Sequence, residues 1–346
     1  MQGMRRFVLR TLLALAPVLV AVAVYVVKDP FHVVHPYSGH AYTPGDTLAL
    51  TVNTGYVTVE SYKYYNANQH YDSFIMGSSL SGYYRIDDWR HHLPAGAHAC
   101  HFNASRETLQ GILNKLRYLT SHGATIRHTL IVMEDEMLKR NPLDDDILYV
   151  QHPQTTSGVS WWKFHQLYFN AWRRPAIALY TLFPSLMTQR VLQQGYATTD
   201  IPNRIEPYNE SYYGWADSLI AVNPEAFYTP QHLAKYQLPD KLMPCPDKIT
   251  PTVEQRLHDI AAVLHEQGTD YQIIIPPHYG YEPVSDNDLL VLRQIFGSGR
   301  VHDFSHDPVL STDLHYYYDD GHLIASRCAA LMDTAYSASW PICEPQ

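Results

Sequence analysis

Tyr71–Trp89 reads YDSFIMGSSLSGYYRIDDW, an apolar stretch that runs straight into Gly77-Ser78-Ser79 and then into polar, aromatic chain. Glycine and serine are common turn formers, so one reading is simply the end of a strand. The other is a serine nucleophile held at the end of a central buried strand. The remainder of the chain has to decide between them.

Downstream of this stretch, strands and helices alternate. HACHFNA reads as a second strand, and Ser105–Gly123 places Leu109, Ile112, Leu113, Leu116 and Leu119 on one helical face before a glycine stop. HTLIVMED is the next strand. After a Pro- and Tyr-rich middle, TPTVEQRLHDIAAVLHEQG reads as a helix with proline near its start, followed by the strand YQIIIPP, the helix DNDLLVLRQIFG and the strand RVHDFS. Crossover-sized helices between strands mean a parallel sheet covered on both faces. In such a sheet ligands bind beyond the carboxyl ends of the strands, where Gly77-Ser78-Ser79 falls.

At 346 residues the chain can bury a full core, and 46% hydrophobic with 17% charged residues describes a folded protein. The net charge of -9, with no basic stripe, argues against a general nucleic-acid binder. The 27 tyrosines and 20 histidines suit a surface that stacks on and hydrogen-bonds to polar ligands such as sugars.

The amino terminus carries Arg5, Arg6 and Arg10 ahead of the apolar run Thr11–Val27. Counted from Phe7, the segment is long enough to cross a bilayer. The positive-inside rule then puts residues 1–6 in the cytoplasm and everything after Lys28 outside it, in the periplasm if the cell is Gram-negative. Ala21-Val22-Ala23 resembles a signal-peptide cleavage site, but the apolar run continues through Val27, which favours an uncleaved anchor over 7–27. Residues 28–65, with strand-like LALTVNT and YVTVESY pieces, read as a juxtamembrane segment, and about 140–245 as an insertion in the domain that follows. Cys100, Cys245, Cys328 and Cys343 allow three pairings; Cys328 with Cys343 would staple the C-terminal tail and leave Cys100 for Cys245. No CxxC spacing points to zinc.

A serine hydroxyl needs a base to take its proton, and the far end of the chain offers one. In LHYYYDDGHLIASRCAALM, Asp319 and His322 stand three apart at the mouth of a terminal helix, with Asp320 as a fallback carboxylate. A Gly-Ser-Ser block after the first strand and a C-terminal Asp-x-x-His before the last helix resemble the SGNH/GDSL hydrolase superfamily, especially its membrane-anchored relatives linked to acylation of envelope polysaccharide. The resemblance extends through HFNASRETLQGIL and IFGSGRVHDFSHDPVLSTDLHYYYDDGH. It implies a three-layer α/β/α, flavodoxin-like parallel sheet over 66–346, with Ser79 as nucleophile, His322 as general base and Asp319 as its partner. Ser78 takes the place of the aspartate and is expected to be structural.

The chain departs from the family at the oxyanion hole. The second block reads Phe102-Asn103-Ala104-Ser105 and the third Met133-Glu134-Asp135-Glu136, so the usual third-block asparagine is missing. The expected donors are the Ser79 N–H, Asn103 and Ala104. His278 and Asp135, at other strand ends, are expected to meet substrate. The carboxylates and histidines from Asp303 to His322 (with His306, Asp307, Asp313 and His315 between them) are metal-ligand types without HExxH-type spacing, and neither metal nor cofactor is expected. The expectation is a membrane-anchored serine esterase or O-acyltransferase acting on acyl esters, with carbohydrate the favoured carrier. The alternative is a catalytically inactive relative that binds polysaccharide or an envelope assembly partner.

Overall fold

The structure, a computed structural model, describes residues 2–37, 39, 49–50, 54–142, 151–156, 159–186, 197–198 and 215–337. Two compact units divide the chain. The first comprises Met1–Val52, Asp145–Val150 and Val159–Ile201, and the second Asn53–Asp144, Gln151–Gly158 and Pro202–Gln346.

In the first unit, helix α1 spans Gln2–Lys28 and is long and apolar enough to cross a membrane. At ~1.5 Å per residue it is about 40 Å long. It stops at Asp29, which adopts a left-handed backbone (φ 38). From there the Asp29 carboxylate accepts from the N–H groups of Val33, Val34 and His35 at 2.8, 3.0 and 2.9 Å. Pro30 follows and cannot continue the helical ladder. Strand β1, Ala49–Leu50, pairs antiparallel with a two-residue strand at Ala197–Thr198; the rest of the LALTVNT piece lies largely outside the described residues.

The second unit opens with helix α2, Thr54–Gln69. Here the structure corrects the sequence reading, since YVTVESY is helical. Val59 and Tyr62 are buried against the sheet, and that tertiary packing overrides the strand preference of a β-branched run. The juxtamembrane reading of 28–65 fails over this helix, which belongs to the sheet-bearing unit.

The sheet then forms from β2 (Ser73–Gly77), β3 (Ala99–His101) and β4 (His128–Val132), with helix α3 (Ile86–Trp89) between the first two and α4 (Leu109–Ser121) before the third. In the first unit, α5 (Trp161–Trp172) and α6 (Pro175–Leu182) come next, broken apart before Pro175, and Ala197–Thr198 is β5. Short helices α7 (Trp215–Val222), α8 (Pro224–Phe227) and α9 (Pro230–Lys235) precede α10 (Pro251–Glu266), β6 (Asp270–Ile275), α11 (Asp286–Phe296), β7 (Val301–Asp303) and α12 (Ala325–Ser337). The order β3-β2-β4-β6-β7 is parallel throughout. Successive side chains of a strand face opposite sides. Accordingly Phe74 and Met76 join one core with α4, α10 and α11, while Ile75 joins another with Trp89, Leu331 and Met332. The chain leaves β2 for β3 on one side and returns to place β4 on the other, so the ends of β2 and β4 flank a topological switch point.

Of the possible pairings, Cys100 with Cys245 is not formed. Cys100 is buried in β3 within one core, Cys245 bonds a carboxylate elsewhere, and Cys328 is a free buried thiol. Cys343 lies outside the described residues.

Candidate active site

β2 ends at Gly77, whose φ of +153 and surroundings explain the residue type: a Cβ there would sit 2.7 Å from the Val132 carbonyl oxygen and 2.9 Å from Ser81 Cβ. Directly after it the chain tightens into a 3-10 turn over Ser79–Tyr83. Ser78, 2% exposed, caps that turn through its hydroxyl, which accepts from the Leu80 N–H at 3.4 Å. Ser81 Oγ donates to the Ser78 carbonyl at 2.7 Å. Ser78 is therefore structural, and Ser79 is exposed at the end of the strand.

The partner loop is pinched by an antiparallel bridge between Tyr317 and Leu323, with Tyr318 N–H donating to the His322 carbonyl at 2.8 Å. At its tip, Asp319 Oδ1 accepts from the N–H groups of Gly321 and His322, both at 2.8 Å. The same carboxylate meets His322 Nδ1 at 2.9 and 3.0 Å, and His322 Nε2 lies 3.1 Å from Ser79 Oγ. With Nδ1–H donating to Asp319, a neutral imidazole turns the Nε2 lone pair toward the serine O–H. The structure thus brings Ser79, His322 and Asp319 together across 243 positions of sequence. Asp320 acts on the imidazole only as a more distant negative charge.

Electrostatics follow from this arrangement. Burial opposes ionisation of Asp319, yet the His322 hydrogen bond and the two backbone N–H groups hold its carboxyl down to about 2. For His322, burial works against the imidazolium and is outweighed by Asp319, with smaller contributions from Glu134 and Asp320, so its pKa rises. Tyr83 packs on the imidazole with ring centroids 5.3 Å apart and on Tyr318 at 4.9 Å.

The second block braces the turn from beneath. Asn103, 5% exposed, donates from Nδ2 to Ser81 Oγ at 3.1 Å, and the Ala104 N–H donates to the Gly77 carbonyl at 3.2 Å. The Ala104 N–H is thereby already engaged, which corrects its expected place among the oxyanion donors. The block is anchored in turn by Lys115, fully buried. Its ammonium donates to the carbonyls of Phe102 and Asn103 at 3.1 and 2.7 Å and to Glu107 Oε2 at 2.8 Å. At the end of β4, Glu134 forms an ion pair with Arg140.

A small cleft, open to solvent, borders Leu80 and is lined by Glu134, Asp135, Cys245, His278 and Tyr281. Asp135 and His278, expected at the substrate, therefore share one cleft beside the serine turn. Burial disfavours the Asp135 anion, but the Cys245 thiol, donating at 3.0 Å, and the Lys248 ammonium hold its pKa below the ordinary value. Burial and that carboxylate push the Cys245 thiol up to about 12, so it stays protonated.

Sequence reasoning missed the groups that hold the histidine loop. Tyr318 O–H donates to Asp217 of α7, which also pairs with Arg85 at 2.7 Å, and Tyr228 O–H donates to the carbonyls of His315 and Tyr317 at 2.9 and 3.1 Å. The tyrosine run Tyr316–Tyr318 was the available signal. Aspartates and histidines of the 303–322 stretch separate into local pairs, His306 with Asp303 and His315 with Asp313 at 2.7 Å. Among the described residues no group of three or more His, Cys, Asp or Glu side chains is placed to hold a metal ion.

Comparison with protein-family models and with curated proteins finds no match to this chain.

Proposed function

We propose that the sheet-bearing unit is an SGNH/GDSL-type domain, three-layered with helices on both faces of a flavodoxin-like sheet, and that it processes acyl esters through Ser79. The observation that carries the reading is the relay from Ser79 Oγ to His322 to Asp319, assembled at the switch point of a parallel sheet. Ser79 Oγ attacks the ester carbonyl while His322 Nε2 takes its proton, giving a tetrahedral oxyanion and an imidazolium steadied by Asp319. Collapse of that intermediate breaks the bond to the alcohol, which leaves with the proton returned by His322, and an acyl-serine remains. A second nucleophile gives its proton to His322 and takes the acyl group, and the bond to Ser79 Oγ breaks as His322 passes that proton to the serine oxygen. Water makes the protein an esterase; a sugar hydroxyl makes it an O-acyltransferase.

The Ser79 N–H is the oxyanion donor nearest the reacting atom. In the third block Asp135 stands where the resemblance expects the neutral amide donor, and losing one donor costs ~3 kcal/mol of transition-state stabilisation. Slow turnover follows from that substitution. The cleft with Asp135, His278 and Tyr281 presents polar and aromatic groups suited to a carbohydrate-borne ester. With α1 as an anchor, the basic flank of Arg5, Arg6 and Arg10 supports an extracytoplasmic location for the catalytic unit. The third-block departure favours a second reading, a non-catalytic module that binds polysaccharide or an envelope partner. Turnover of a chromogenic acetyl ester by the full-length protein separates the two. Hydrolysis that Ser79→Ala reduces to the background rate supports the enzyme, and identical rates for both proteins overturn it.

A further inference from the structure

We infer that α5 and α6 form a second membrane contact, their exposed apolar side chains lying in the outer interfacial layer of the bilayer that α1 crosses. The inference rests on reading α1 as a spanning helix with its Lys28 end outside.

Position is the first argument. Tyr25 stands three residues before the end of α1, within ~4.5 Å of Lys28 along the axis. Its ring packs on Phe169 and Trp172 of α5 at 5.4 and 5.7 Å, and Phe31, just beyond the helix, packs on Tyr168 at 5.4 Å. The Tyr168–Trp172 end of α5 therefore sits at the depth where α1 leaves the hydrocarbon.

Composition is the second. From Pro175 to Phe183 the chain reads PAIALYTLF, without a charged residue. Thr181 turns its hydroxyl inward, donating to the Ile177 carbonyl at 2.8 Å and accepting from Trp172 Nε1 at 3.2 Å. The exposed side chains of this stretch are apolar, Leu179 at 42%, Leu182 at 44% and Phe183 at 51%; Leu186 beyond it is 77% exposed and Trp162 at the start of α5 84%, with Gln166 and Asn170 the exposed polar residues of α5. Isolated apolar side chains are ordinary on a soluble surface, whereas a clustered set marks an interaction surface. Arg173 and Arg174 are exposed at the corner between the two helices, where cations meet lipid phosphates. Tryptophan beside such cations is the usual content of an interfacial layer. Continuity with the end of α1 therefore selects lipid over a second copy of the chain.

The test uses full-length protein reconstituted into phosphatidylethanolamine–phosphatidylglycerol vesicles, with and without lipid brominated near the glycerol end of its acyl chains. The emission removed by Trp161→Phe/Trp162→Phe is expected to be blue-shifted and quenched by bromolipid. Emission at these positions that bromolipid leaves unchanged and aqueous iodide quenches overturns the proposal. So does protection from iodide that vanishes on dilution into excess lipid, which identifies contact between copies. Alkaline carbonate extraction of the same vesicles separates the premise from the proposal: release of the protein overturns the spanning role of α1 and the surface with it. Retention with unquenched tryptophans overturns the surface alone.

Discussion

Gly77 and Ser79 divide two tasks at the end of β2. The glycine lets the strand pass against the Val132 carbonyl in a backbone conformation closed to other residues, and the turn it permits presents Ser79 to His322. Gly77→Ala is expected to lower stability by about 1–3 kcal/mol. It should also slow ester turnover, read by thermal unfolding and initial rates on the same preparation. His322 must be neutral to accept the serine proton. Because Asp319 raises its pKa, the rate should climb with pH and reach half its maximum above ~6.5, the ordinary histidine value. Asp319→Asn removes the main raising influence while burial remains, so the midpoint should move down. The maximal kcat should fall by up to ~10⁴-fold, as expected when the imidazole loses its orienting anion. A midpoint that stays in place in the Asn variant would contradict the assigned partner. The juxtaposition of Ser79, His322 and Asp319 was legible because Gly-Ser-Ser and Asp-x-x-His are local patterns. The influence of the Glu134 charge on the imidazole was not, because it depends on how the end of β4 lies beside the loop.

At the scale of elements, α2 and the buried Lys115 resisted sequence reasoning for the same physical reason. A β-branched run such as Val57-Thr58-Val59 carries a strand preference of only a few tenths of a kcal/mol per residue, which burial of Val59 and Tyr62 exceeds. Lys115 interrupts the polar positions of α4 like any surface lysine, and nothing local reveals that Glu107 and two carbonyls receive it inside the core. Lys115→Met leaves Glu107 buried without its cation and is expected to cost about 3–5 kcal/mol in denaturant unfolding. Adding Glu107→Gln should recover part of that loss. The clasp from α7 and the end of α8 to the histidine loop predicts a kinetic effect instead. Asp217→Asn or Tyr228→Phe should reduce kcat on the order of ten- to a hundred-fold by loosening the geometry at His322, with a smaller change in KM. Loss of KM with kcat intact would show that these residues meet substrate rather than hold the loop.

Across the whole molecule, the parallel sheet was readable from the alternation of strands such as YDSFIMG and YQIIIPP with amphipathic helices, and the apolar amino-terminal helix from its uninterrupted run. The Pro- and Tyr-rich middle was not, since its short helices take their places from contacts with distant residues such as Arg85 and Tyr317 rather than from any periodicity of their own. Those same contacts join regions far apart in sequence around one hydroxyl, and that convergence is what the functional account depends on. Exposure of the full-length protein to a fluorophosphonate, with the adduct located by mass spectrometry, measures it most directly. The account predicts a single adduct on Ser79 that forms in the native protein and is lost on denaturation or in His322→Ala. An unlabelled Ser79 in protein that remains folded, or labelling as fast without His322 as with it, would contradict it.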